Sequence, residues 1–265
     1  MNLARRHPIA AYFLLTFVIS WTGALILSAP YLARHERVPK FSGLMMFPVM
    51  LLGPALSGVT MTWFVDGRAG LRGLLRRMRR VSAGVWYAAL LIPPALVLAV
   101  LLALSSFVSP RFTPNHFVIG VSFGLVAGFL EEIGWMGYAF PKMRNAQSFF
   151  PAAVTLGLLW SLWHLPVVDF LGAATPHGNY WLPFFLSFTA VMTAMRVLIA
   201  FVYTRTDSVL VAQLLHASST GSLVVFSPPG IAASDEAMWY AIYACALWVA
   251  AGILAMRRQP GAMLF

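Results

Sequence analysis

An all-α bundle of about eight transmembrane helices, a polytopic integral membrane protein with both termini cytoplasmic, is what this chain encodes, on three grounds. Of its 265 residues, 60% are hydrophobic and only 10% are charged, against roughly 45–50% and about 25% in a soluble domain. That leaves too few charges to cover a water-facing surface. The apolar residues gather in eight runs near 20 residues, and about 20 residues at about 1.5 Å each cross a bilayer core as a helix. The basic residues then alternate in density from one connecting loop to the next, as membrane orientation requires.

The first run, 9–29, follows Arg5 and Arg6 and exceeds the roughly 7–15 apolar residues of a cleaved signal, so it reads as a retained span. The second is 42–64. After it, Asp66 to Val81 carries six arginines with Leu71, Leu74, Leu75 and Met78 at helical spacing. It reads as a topology-setting loop, or as a helix lying on the inner membrane surface with its arginines on anionic headgroups. The third run is 84–108. The fourth, 117–140, holds Glu131 and Glu132. The fifth, 148–170, holds His164, with Asp169 at its outer end. The sixth, 182–203, holds Arg196, the seventh, 208–226, holds His216, and the eighth is 237–256. Pro, Gly, Asn and charged residues mark the short loops between them.

With the N-terminus inside, the inner segments hold Arg5, Arg6, Arg68, Arg72, Arg76, Arg77, Arg79, Arg80, Lys142, Arg144, Arg205, Arg257 and Arg258. The outer segments hold Arg34, Arg37, Lys40 and Arg111. Gaining or losing one span would scramble this asymmetry. It also explains the net charge of +10 without nucleic acid, because the cations sit in short loops rather than on one patch. The lipid bilayer is the partner implied. No long polar stretch divides the chain, so 1–265 is one transmembrane domain with 115–225 as its core. A lone cysteine, Cys245, rules out an internal disulfide. Nothing in the chain sets an oligomeric state.

Intramembrane ionisable residues are costly, at about 2.5–3.5 kcal/mol or more for each central charge, and are read as functional by default. Glu131 and Glu132 lie about 100° apart on a helix, so one faces a central cavity and the other a neighbouring helix. Trp160 shares a face with His164 four residues later, and Pro166 ends or kinks that helix. Gln213 and Thr220 flank His216 on one face. Two imidazoles and a carboxylate form one ligand set for catalytic zinc, here Glu131, His164 and His216, with a second carboxylate to take a proton from bound water. The same residues also work without metal. A glutamate activates water, and His and Thr donors stabilise the oxyanion.

Three motifs, Glu131-Glu132-Ile133-Gly134-Trp135-Met136, Trp160-Ser161-Leu162-Trp163-His164 and His216-Ala217-Ser218-Ser219-Thr220, resemble the signature of the CPBP intramembrane protease family, also called the type II CAAX prenyl endopeptidase or Abi family. The resemblance covers roughly 115–225. It implies an eight-helix bundle, a site sunk below the membrane surface, and cleavage of a peptide bond in a membrane-associated peptide or protein. It further implies that Glu131 activates water, that Glu132 supports it, and that His164 and His216 bind metal or polarise the scissile carbonyl. Two positions depart from the family pattern: Met136 stands for the usual arginine and Thr220 for the usual asparagine. Threonine still donates one hydrogen bond. For the missing cation, Arg196 is expected to pair with Glu132 or reach Glu131, since it lies at a similar depth on a parallel helix. An inactive member acting as a membrane binding or immunity-type protein is the main alternative. A proton-coupled carrier follows, weakened by the lack of an inverted repeat.

Overall fold

The computed structural model describes residues 3–36, 38–170 and 177–256. Arg37, Arg257, Arg258 and the side chain of Asp169 lie outside them. The described residues contain no strand, and eight long helices follow the eight apolar runs: α1 (Pro8–Leu32), α2 (Lys40–Met78), α3 (Ile92–Phe107), α4 (Gly120–Gly134), α5 (Phe149–Trp163), α6 (Trp181–Thr206), α7 (Val209–Phe226) and α8 (Ala233–Met256). Six candidate spans are long and apolar enough to cross a membrane. The other two helices, α4 and α5, carry Glu131, Glu132 and His164. Buried charge lowers the hydropathy of α4, and α5 stops at Trp163 because Pro166 offers no backbone donor to continue it. The chain is a multi-pass, all-helical membrane protein.

Ion pairs and hydrogen bonds sort the loops between two ends of the bundle. At one end Arg5 reaches the Phe64 carbonyl, Lys142 pairs with Asp66 at 2.6 Å, and Arg80 pairs with Asp207 at 3.1 Å. At the other, Arg111 pairs with Asp235 at 2.8 Å and His177 with Glu236 at 3.0 Å.

Lipid tails supply no hydrophobic drive for helices to associate, so close packing of small residues must do it. The α4–α7 pair, the largest interface in the bundle, is built on a stripe of Gly120, Gly124 and Gly128. A Cβ on Gly124 would lie 2.3 Å from the Ala217 carbonyl oxygen, and one on Gly128 would lie 2.4 Å from that of Gln213. Both obstacles are backbone and cannot swing aside. Gly124→Ala is therefore expected to lower stability by about 1–3 kcal/mol through overpacking, read as a lower melting temperature in detergent. This stripe brings Glu131 and Glu132 against His216.

α4 does not end cleanly. A π-helical turn, Trp135–Ala139, follows Gly134 before a last helical turn, Phe140–Arg144. Such turns leave backbone groups mispaired and gather at functional sites. Here the Gly137 carbonyl is taken by Arg77 Nη2 at 2.8 Å.

Candidate active site

Glu131 and Glu132 are both buried, and they point in different directions as their 100° offset requires. Glu131 lines a cavity of about 490 Å³ whose walls also include His164, Thr220, Phe123, Val126 and Val167. One oxygen of Glu131 is fixed: Oε2 accepts from the indole N–H of Trp135 at 2.9 Å and from that of Trp160 at 2.6 Å. The other, Oε1, lies 4.0 Å from His216 Nε2. That gap is too long for a direct bond and suits one water bridging both atoms.

Glu132 turns the other way, to α6. Arg196 Nη1 donates to Glu132 Oε1 at 2.7 Å and to Oε2 at 2.9 Å, with both side chains fully buried. The cation expected to replace the one missing at Met136 is thus supplied by Arg196, and Met136 itself packs in the apolar core. The guanidinium carbon of Arg196 sits 4.0 Å from the centre of the Trp160 ring, a cation–π contact that offsets the loss of water around the charge.

The same carboxylate orients His216. Its Nδ1 lies 2.7 Å from Glu132 Oε1. A carboxylate already receiving two bonds from Arg196 can only accept here, so Nδ1 carries the proton. Nε2 is left facing Glu131 with its lone pair free. The fixed tautomer follows from the hydrogen-bond network.

His164 owes its position to the way α5 stops. The His164 backbone N–H bonds to the Ser161 carbonyl rather than to that of Trp160 four residues back. The freed Trp160 carbonyl lies 2.7 Å from His164 Nδ1. A carbonyl only accepts, so Nδ1 carries a proton and Nε2 is the nitrogen available to the cavity. Val167 N–H goes to the His164 carbonyl, which strands the Trp163 carbonyl, and Trp21 Nε1 of α1 donates to it at 3.1 Å.

Trp160 is the hub. It bonds Glu131, underlies Arg196, and meets the rings of His164 and His216 edge-on at 5.4 and 5.0 Å. Thr220 lines the cavity, and its hydroxyl has no partner among the described residues. Gln213 is placed elsewhere: its amide donates to the Phe129 carbonyl at 2.9 Å and ties α7 to α4. Three contributors have no counterpart in the sequence reading. Trp135 stands four residues after Glu131 on the same helical face, which is a readable signal. Trp21 and the fully buried Tyr12, whose ring packs on Trp135 at 5.7 Å, come from α1 and have none.

Of the three expected zinc ligands, Glu131 and His164 line the same cavity, and Glu131 Oε1 lies 4.0 Å from His216 Nε2. Among the described residues no three His, Cys, Asp or Glu side chains are grouped to hold an ion. Glu131 Oε2 is already occupied by two indoles.

Residues 113–221 match the family model described as type II CAAX prenyl endopeptidase Rce1-like. CAAX prenyl protease 2 of Methanococcus maripaludis is 35% identical over 92 residues, covering 30% of this chain and 32% of that protein. The match thus spans about a third of the relative's length. The family-model match, residues 113–221, falls on the helices that hold Glu131, Glu132, His164, Arg196 and His216, and over this core the chain is similar to the type II CAAX prenyl endopeptidases.

Proposed function

We propose that this chain is an intramembrane endopeptidase of the cell (inner) membrane, hydrolysing a peptide bond in a membrane-associated peptide or protein. The observation that supports it most is the state of Glu131: one oxygen held by two indoles, the other presented to His216 and to an apolar cavity. A water between Glu131 Oε1 and His216 Nε2 gives its proton to Glu131 as its oxygen bonds to the scissile carbonyl carbon. The developing oxyanion receives the Thr220 hydroxyl, and His164 lines the same cavity to polarise the scissile carbonyl. As the C–N bond breaks, Glu131 returns the proton to the leaving amine. Arg196 keeps Glu132 ionised, and Glu132 keeps His216 in the tautomer this step uses. In this reading the side chains of Glu131, His164, His216 and Thr220 carry the proton transfers and the stabilisation of charge. The apolar walls suit a hydrophobic substrate residue beside the scissile bond.

The test is cleavage by purified protein in nanodiscs, offered a set of membrane-associated peptides and read by mass spectrometry. Cleavage by the wild type that stops with His164→Ala, while the variant still inserts and melts normally, supports the reading. A cellular effect that persists in Glu131→Gln and His164→Ala overturns it in favour of a binding protein.

The hub gives a graded prediction. Trp160→Phe keeps a ring beneath Arg196 and beside both histidines but removes the N–H held by Glu131. A hydrogen bond to a charged group is worth about 1.5–3 kcal/mol, so the rate should fall about ten- to hundredfold at nearly unchanged KM.

A further inference from the structure

α2 is two helices in one. At Gly67 the backbone turns to φ 66° and ψ −157°, a left-handed conformation that only glycine adopts freely. Beyond it, residues 68–78 form a separate amphipathic segment. Arg68, Arg72, Arg76 and Arg79 follow one another at spacings of four, four and three, so they share one face, and all four are exposed. Leu71, Leu74, Leu75 and Met78 share another.

Among the described residues these four cations have no counter-charge. The chain has eight acidic residues. Glu36, Asp66, Asp207, Asp235, Glu236 and Glu132 are each engaged by another cation or histidine. Glu131 is buried under two indoles, and the side chain of Asp169 lies outside the described residues. The side chains of the four arginines make no hydrogen bond or ion pair among the described residues. Their anions must come from outside, and the segment's position names the source. It continues directly from a membrane span, with Leu75 exposed beside the arginines, which is the arrangement of a helix lying at the headgroup level.

The segment is also fastened to the catalytic helix. Arg77, on its inward side, donates to Tyr203 Oη and to the Gly137 carbonyl inside the π-helical turn. Leu74 is buried against Gly137, with its Cδ1 2.7 Å from where a Cβ on that glycine would stand. Only two residues separate Glu132 from the start of this turn, and its first residue, Trp135, holds Glu131.

We propose that residues 68–79 are a docking surface for anionic phospholipid headgroups, and that Arg77 and Leu74 couple its occupancy to the π-helical turn and thereby to Glu131. The coupling rests on the endopeptidase reading; the lipid site does not.

The full chain, delipidated in detergent, is titrated with phosphatidylglycerol or phosphatidylcholine and weighed by native mass spectrometry. Its cleavage rate is then measured in nanodiscs of either lipid. The wild type should retain phosphatidylglycerol preferentially, and R68Q/R72Q/R76Q/R79Q should weaken that retention at least about tenfold, as the loss of several surface charges requires. Cleavage by the wild type should rise at least about threefold in phosphatidylglycerol, and the fourfold variant should lose the rise. Arg77→Met should bind phosphatidylglycerol normally yet show no rise, and Leu74→Ala should do the same without removing a charge. Unchanged retention in the fourfold variant overturns the site, as does soluble polyphosphate competing as well as the lipid. A full rise in both coupling variants overturns the coupling. No cleavage in any lipid sinks the endopeptidase reading, while the mass-spectrometric arm still decides the lipid site.

Discussion

Glu131→Gln will eliminate peptide-bond cleavage while leaving the protein folded. The glutamine carbonyl oxygen can accept from Trp135 and Trp160 as Glu131 Oε2 does, so the buried indoles keep their partner and the helix packing is undisturbed. What the amide cannot do is take a proton from water. General-base catalysis typically contributes about 10²- to 10⁴-fold, and a loss of that size is expected in kcat with KM little changed. Glu131→Ala would be a poorer experiment, because two buried N–H groups would be left unpaired at about 1–3 kcal/mol each. The outcome is read by comparing cleavage rate and melting temperature of the two variants with wild type. If Glu131→Gln cleaves within about threefold of wild type, water is activated by another group and the base assignment is wrong.

The physical cost of charge in hydrocarbon is what made this site legible. A carboxylate pair, two histidines and an arginine inside apolar runs had to find one another, and the helices that carry them do meet. That Arg196 would meet Glu132 or Glu131 followed from its need for a counter-charge and from equal depth on parallel helices; the choice of Glu132 came only from the packing. The split roles of the two glutamates followed from the 100° between them. Other features were not readable. Gln213 lies on the polar face with His216 but bonds across to a backbone carbonyl, a choice set by how closely α4 approaches α7. The contribution of α1 was invisible because Tyr12 and Trp21 sit in an ordinary apolar run, and only tertiary packing sets them beside Trp135 and Trp163. The π-helical turn leaves no mark on hydrophobic periodicity, although it sets how the inner end of α4 meets Arg77.

Arg196→Met should be the most destabilising single change in the bundle. It leaves Glu132 ionised, fully buried and without its cation, and breaking a buried pair from one side costs about 3–5 kcal/mol. Much of that cost belongs to the stranded carboxylate rather than to the lost bond. Neutralising it as well should therefore restore stability: Arg196→Met with Glu132→Gln removes both charges, and the glutamine oxygen still accepts from His216 Nδ1. The expected order of melting temperature in detergent is wild type and the double variant close together, with Arg196→Met well below both. Activity should follow a different order. With no carboxylate to stabilise a proton on His216, the imidazole is oriented more weakly, so the double variant should fold well and still cleave more slowly than wild type. Equal instability of the single and double variants would mean that Arg196 acts through its stacking on Trp160 and not through charge. That result would leave Glu132 without the electrostatic role assigned to it.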